Sequence, residues 1–219
     1  MLEAERRHNL AVAQARKRAI FLPPVKNNTA KGIIFDCDGT LADTMPLHWR
    51  AWQAITQRHN LHFPVDRFYA LGGVPTRDIL KMLSREQGVP IDHLAVALEK
   101  EDEYLPLIAQ VEPVDVVVDI ARDHYGKTPL AVASGGTKKI ITQVLEHLGI
   151  LELFDAIVTS EDVMHQKPAP DIFLEAARRV GVPAANCRAY EDTDLGLQAI
   201  RAAGMEAVDV RDLLSGFTT

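Results

Sequence analysis

The apolar positions change period along this chain, and the changes mark out its elements. A short β-branched run, Ile33-Ile34-Phe35, reads as a buried strand. From about Met45 to Gln110 the spacing is helical, with His48, Trp49, Trp52, Ile55 and Thr56 at helical intervals. Leu71-Gly-Gly-Val-Pro75 interrupts this region, Thr76 to Leu83 restarts a helix, and Ile91 to Ile108 gives another. No strand pattern occurs there, so the region reads as a helical insert between the first and second strands. From Val111 onward helices and strands alternate. Strands are predicted at Leu130 to Ala133, Ala156 to Thr159, Arg188 to Glu191 and Ala207 to Val210, with helices at Lys138 to Leu148, Asp171 to Val180 and Leu195 to Ala203. Gly149, Gly181-Val-Pro183 and Gly204 are good helix stops. Such alternation predicts a parallel, doubly wound α/β sheet.

Before the first strand, residues 1 to about 20 are rich in Ala, Arg and Glu and read as a helix, with a linker at Pro23-Pro24 and Asn27-Asn28. Leu10 to Ala13 is too short an apolar run, and its flank too polar, for a signal peptide. Arg16-Lys17-Arg18 reads as a solvated face, with partner docking the weaker alternative.

Bulk properties narrow the class. The 219 residues allow one domain with an insert or two small ones, and can bury a core without staples. With 47% hydrophobic and 25% charged residues the balance is that of an ordinary globular protein. A net charge of −6 argues against a nucleic-acid surface. No apolar run approaches membrane-spanning length, so no membrane partner is expected and a cytoplasmic location is. The two cysteines, Cys37 and Cys187, lie in or beside predicted buried strands and read as reduced core thiols.

The candidate chemistry gathers at the predicted strand ends. After the first strand comes Asp36-Cys-Asp38-Gly39-Thr40. In an extended segment Asp36 and Asp38 point to one side and Cys37 to the other, while Gly39 lets the chain turn. Acids past a strand's carboxyl end sit where open α/β sheets bind ligands; taken alone, Asp-Gly is equally a common turn signal. Ser134-Gly135-Gly136 follows the second strand and precedes a helix, the makings of an anion site. Lys167-Pro168-Ala169-Pro170-Asp171 follows the third, and Glu191-Asp192-Thr193-Asp194 the fourth. Singly, these read as a loop, a surface lysine and a capping acidic run. Together they occupy one edge of one sheet.

In that order these four motifs resemble the haloacid dehalogenase-like hydrolase superfamily, over about Lys31 to Leu214. Closer in, the chain is similar to β-phosphoglucomutase-like enzymes and sugar phosphatases with a helical cap, notably the fructose-1-phosphatase and 6-phosphogluconate phosphatase type, through Met205-Glu-Ala-Val-Asp-Val-Arg211. The resemblance implies a Rossmann-like core, residues 31–44 and 111–219, with an inserted α-helical cap, residues 45–110, behind an N-terminal arm and linker, residues 1–30. It implies hydrolysis of a small phosphorylated sugar, with Asp36 attacking phosphorus and Asp38 serving as acid and then base. Asp38 is therefore expected to have a raised pKa. Mg²⁺ is implied at Asp36, Asp38, Glu191 and Asp192, with Ser134, Gly135 and Lys167 on the phosphoryl oxygens. His48, Gly73, Arg77 and Lys100 fall at or beside positions resembling cap and hinge residues near the substrate.

One departure bears on the activity. The mutases place an Arg two residues before an acidic residue in the first cap helix, where Thr76 stands here, with Arg77 next to it. A helix turns about 100° per residue, so Arg77 need not face the same way. A phosphatase is thus preferred, with a β-phosphoglucomutase the alternative. A silent phosphometabolite-binding protein, the further alternative, is disfavoured by the intact Asp36, Asp38, Ser134, Lys167 and Asp192. A monomer or weak homo-oligomer is expected.

Overall fold

The computed structural model describes residues 30–215. Most of the expected N-terminal arm, including its helix, lies outside those residues. Ala30–Val210 forms one compact unit.

Five parallel strands form the main sheet: β1 (Gly32–Phe35), β4 (Leu130–Ala133), β5 (Ala156–Val158), β6 (Cys187–Glu191) and β7 (Glu206–Asp209), in the order β5-β4-β1-β6-β7. β1 and β4 are buried along their whole length, which is why they read as unbroken apolar runs rather than alternating ones. The chain winds outward through β4 and β5, then returns to β6 on the other side of β1. This reversal places a crevice beyond the carboxyl ends of β1 and β6, where open sheets bind ligands.

Helices α5 (Asp115–His124), α6 (Lys138–His147), α7 (Asp171–Arg179) and α8 (Asp194–Ala202) link the strands, and α9 (Val210–Ser215) follows β7. Phe173, Ala176, Leu197 and Ile200 pack with Ile34, Ala131 and Ala189 in one buried cluster. The predicted strands and helices after Leu130 match these elements to within a residue at each end.

The insert contains α1 (Met45–Arg58), α2 (Val65–Ala70), α3 (Thr76–Gln87), α4 (His93–Tyr104) and a 3₁₀ segment, Leu105–Gln110. It has its own cluster, including Trp52, Ile55, Phe63, Phe68, Leu80, Leu83 and Val96. The helix expected over Ile91 to Ile108 starts later, where Asp92 accepts hydrogen bonds from the Leu94 and Ala95 amides, and tightens to 3₁₀ at Leu105. Pro106, which has no N–H to donate and whose ring crowds the preceding turn, lies in the tightened stretch.

Two elements have no counterpart in the sequence pattern. β2 (Ala42–Asp43) and β3 (Glu112–Pro113) pair antiparallel, Ala42 with Pro113 and Asp43 with Glu112. Two residues are too few to show a period. Their pairing brings the two connections of the insert side by side as one ribbon, extended by the Val114 amide donating to the Leu41 carbonyl at 3.0 Å. Among the described residues no helix is long and apolar enough to cross a membrane.

Candidate active site

The four polar clusters do converge. Asp36 follows β1 directly, Ser134 follows β4, Glu191 is the last residue of β6, and the loop after β5 brings in Lys167. The Lys167 Nζ donates to Asp36 Oδ1 at 2.6 Å and to Glu191 Oε2 at 2.7 Å, and all three side chains are buried. The other Glu191 oxygen accepts from the Thr193 amide at 3.0 Å and the Thr193 hydroxyl at 2.6 Å. Thr193 also caps α8 by accepting from the Gly196 amide. Asp192 Oδ1 accepts from the Thr40 hydroxyl at 2.9 Å. Asp36, Glu191 and Asp192 each offer a carboxylate oxygen, and those three lie within 4.8 Å of one another.

Three acids facing one lysine set the electrostatics. Burial, then the Glu191 charge, push Asp36 well above the usual carboxylate range, against the pull of Lys167. Burial and Glu191 likewise raise Asp192 to about 7, with Thr40 and Lys167 opposing. Burial works against the charge on Lys167, but Asp36 and Glu191 outweigh it and raise the lysine. This oxygen-only, anion-rich set is what a hard divalent cation requires.

Asp38 sits in a different environment. Its Oδ1 accepts from the Thr44 hydroxyl at 2.8 Å and lies 3.2 Å from His48 Nε2, and its Oδ2 accepts from the Ser134 hydroxyl at 3.2 Å. Lys100 Nζ stands 2.8 Å from His48 Nδ1. An ammonium can only donate, so Nδ1 accepts and Nε2 carries the proton that faces Asp38. Burial and Lys100 lower the His48 pKa, in keeping with a neutral ring. Tyr104 stacks on that ring at 3.8 Å between centroids. Burial raises Asp38, but the hydrogen bonds from His48 and Thr44 and the charge on Lys100 prevail and hold it at about 2. The expectation of a raised Asp38 pKa is therefore corrected for this closed arrangement. Its partners stabilise the carboxylate, and three of them lie in or next to the insert, beyond the reach of a reading centred on the motif loop.

The insert closes directly on these groups. Gly73 adopts φ +82°, and a Cβ there would meet Lys167 Cδ at 3.2 Å. A Cβ on Gly135 would lie 2.4 Å from the Gly73 carbonyl oxygen, so the insert's loop and the Ser134 loop touch backbone to backbone. Between insert and core lies a cavity of about 80 Å³, reached by Asp36, Asp38, His48, Gly73, Lys100, Gly135 and Glu191.

Arg77 is not brought to the site. Thr76 and Ile79 line the cavity, whereas Arg77 is exposed and its Nε lies 3.8 Å from Asp78 Oδ1. One residue's turn of the helix carries it away from the cavity. Conversely, Thr40 and Thr193, named above only as members of their motifs, and Thr44 and Tyr104, not named there, belong to the site. Thr193 had a signal, standing where a helix cap belongs. Tyr104 lies four residues after Lys100, on the same face of α4. Thr44 had none, and Thr40 stood in the first motif without a role, because its partner is 152 positions away.

Gly196 supplies a local test of this construction. A helical Gly to Ala change ordinarily stabilises by up to about 1 kcal/mol. Here the added Cβ would fall 2.0 Å from Glu191 Cδ, a group pinned by Lys167 and Thr193. Gly196→Ala is therefore expected to destabilise by about 1–3 kcal/mol and to cut activity by shifting Glu191 and Lys167. Thermal unfolding checks it, and a rise in Tm would contradict the packing described.

A sequence model described as haloacid dehalogenase-like hydrolase matches residues 30–204. Fructose-1-phosphate phosphatase YqaB of Escherichia coli K12 is 41% identical over 181 residues, covering 82% of this chain and 96% of its own. The β-phosphoglucomutase of Bacillus subtilis 168 is 33% identical over 191 residues, covering 82% and 83%. The crystal structure of β-phosphoglucomutase from Clostridium difficile superposes with a TM-score of 0.73 at 26% identity, covering 82% of this chain and 83% of that one.

Proposed function

The chain belongs to the haloacid dehalogenase-like hydrolases and is a phosphoric monoester hydrolase; from that premise we propose a Mg²⁺-dependent phosphatase that hydrolyses small sugar phosphates through an aspartyl-phosphate on Asp36. The observation that carries this reading is the meeting of Asp36, Glu191 and Asp192 around one buried lysine at the crevice of the sheet. The fructose-1-phosphate phosphatase relative supports the substrate class.

Asp36, in contact with Lys167 and open to the cavity, is the nucleophile. Its attack on phosphorus splits one difficult displacement into two easier ones. The cation would be held by the Asp36 and Asp192 carboxylates and the Asp38 backbone carbonyl. Both Glu191 side-chain oxygens are already engaged, by Lys167 and Thr193, which favours a role for Glu191 through a bridging water. When bound, Mg²⁺ supplies the positive charge that keeps Asp36 ionised and offsets the phosphate dianion. Ser134, the Gly135 amide and Lys167 hold the transferring phosphoryl oxygens, where positioning and charge do most of the work.

Asp38 gives its proton to the departing sugar oxygen and then takes one from the attacking water. Ionised in the closed site, it is able to accept the proton of the second role. For the first, a phosphate dianion placed beside Asp38 pushes the same carboxyl upward.

Residues 45–110 act in this reading as a cap on a core of residues 31–44 and 111–219. Small-molecule pockets run to roughly 300–1,000 Å³, so the cavity of about 80 Å³ admits a sugar only if the cap swings away. The β2–β3 ribbon is the natural hinge, and its prolines, Pro46 nearby and Pro113 within, limit the swing. A mutase reading, suggested by the Bacillus relative, gains nothing from Arg77, which faces outward.

A screen for phosphate release over sugar phosphates, with and without Mg²⁺, tests the proposal. Release of inorganic phosphate only with Mg²⁺ is expected. Isomerised sugar phosphate without release would favour the mutase, and no turnover on any substrate would favour the silent binder.

A further inference from the structure

The turn at residues 71–74 carries the insert onto the reacting centre, where it meets three core groups. The Gly73 carbonyl packs on the Gly135 backbone, Gly73 itself lies beside the Lys167 side chain, and Gly72 lies against Thr193. The first two contacts leave little to vary. One is backbone against backbone, and Gly73 has φ +82°, where any side chain is strained. Gly72 is buried but lies outside the left-handed region, so an alanine there is limited only by what its Cβ touches. That Cβ would lie 2.8 Å from Thr193 Cγ2 and 3.3 Å from the Tyr69 carbonyl oxygen. The second contact is eased by a shift of a few tenths of an ångström. The first cannot stand unless Thr193 or the insert moves.

Thr193 is not free to yield. Its hydroxyl donates to Glu191 Oε1 at 2.6 Å and accepts from the Gly196 amide at 3.1 Å. A β-branched side chain turns as one piece about χ1, so the bonds that fix the hydroxyl also aim the methyl at Gly72. Swinging the methyl away would break the bond to Glu191, whose other oxygen accepts from Lys167 at 2.7 Å.

Resting on the phosphatase reading, we propose that Thr193 is a positioning residue: its methyl is the stop against which the insert closes, and its hydroxyl ties that stop to Glu191. It acts through Glu191 and Lys167 rather than on the substrate. An insert held off Thr193 leaves the cavity open to water. An insert pressed onto it by a bulkier residue 72 turns Thr193 and loosens Glu191.

A double-mutant cycle on Gly72→Ala and Thr193→Ser tests this, read as turnover of fructose 1-phosphate with Mg²⁺ and as thermal unfolding of each protein. Gly72→Ala adds the clashing methyl and is expected to lower kcat/KM at least about tenfold. Thr193→Ser keeps the hydroxyl but loses the methyl and the fixed rotamer, and is expected to lower kcat by about two- to fivefold. The double variant makes room for the alanine, and its kcat/KM is expected to stand at least about fivefold above that of Gly72→Ala. A purely structural fault at Gly72 would instead lower Tm and activity together and be worsened by the second substitution. Losses that multiply in the double variant, or wild-type kcat/KM in Gly72→Ala, would overturn the role while leaving the phosphatase standing. Should Gly72→Ala fail to fold alone, the double variant decides: folded and active it upholds the contact, and unfolded it overturns it. Absence of wild-type turnover on every ester of the phosphate-release screen would overturn the phosphatase reading and this role with it.

Discussion

Asp36→Asn is expected to lower kcat for phosphate release by at least about 10⁴-fold, because an amide cannot form the acyl phosphate and nothing nearby can substitute. Glu191 is bonded on both oxygens, Asp192 is held by Thr40, and Asp38 is engaged by Thr44, His48 and Ser134. The fold should survive. Asparagine fills the same volume, and Lys167 keeps Glu191 at 2.7 Å. Burying three acids together is costly in itself, so loss of one relieves repulsion and offsets the lost Lys167 contact. Phosphate release alongside thermal unfolding checks both halves. A well-folded Asp36→Asn protein with more than about a hundredth of wild-type activity would remove Asp36 from the role of nucleophile.

Removal of the cation should have an effect of comparable size. Excess chelator is expected to abolish turnover and re-added Mg²⁺ to restore it. Mg²⁺ at a hundred times its Kd should also stabilise the fold by about 2.7 kcal/mol. The pH dependence adds a sharper signature. Asp36 and Asp192 have folded pKa values raised above the usual carboxylate value of 3.8, Asp192 to about 7. A raised folded pKa contributes stability that is complete below the unfolded value and is lost as pH rises through the folded one. In chelator, Tm should therefore fall as pH climbs from about 4 through 7. Mg²⁺ favours the ionised carboxylates and should flatten or reverse that fall. A Tm profile identical with and without Mg²⁺ would mean these acids do not hold it.

The core was readable in the sequence because its strands are buried on both faces. Leu130 to Ala133 and Ile33 to Phe35 stand out as unbroken apolar runs, and each is followed by the polar cluster that its carboxyl end delivers to the crevice. Asp36, Ser134, Lys167 and Glu191 could be named because loops after parallel strands share one edge. Side-chain direction on the insert was less legible. One residue, about 100° of helix, separates Thr76, on the cavity, from Arg77, off it, and only the packing of Ile79, Leu80 and Leu83 with Phe68 fixes that rotation. The Asp38 environment was missed for a related reason. Its pKa depends on Thr44, His48 and, through His48, on Lys100, which is 52 residues further along the chain than His48. The β2–β3 ribbon left no trace in the sequence, because its pairing of Ala42 with Pro113 is long-range and too short to show a pattern.

The most direct test of the central claim is to trap the intermediate. An acyl phosphate on an aspartate is reduced by borohydride to homoserine, whereas a free carboxylate is not. Wild-type protein quenched with borohydride during turnover of fructose 1-phosphate and Mg²⁺, then digested for peptide mass spectrometry, should carry homoserine at position 36. The same protein without substrate should carry aspartate there. Rapid phosphate release with position 36 unmodified, or with the label on another carboxylate, would contradict the account.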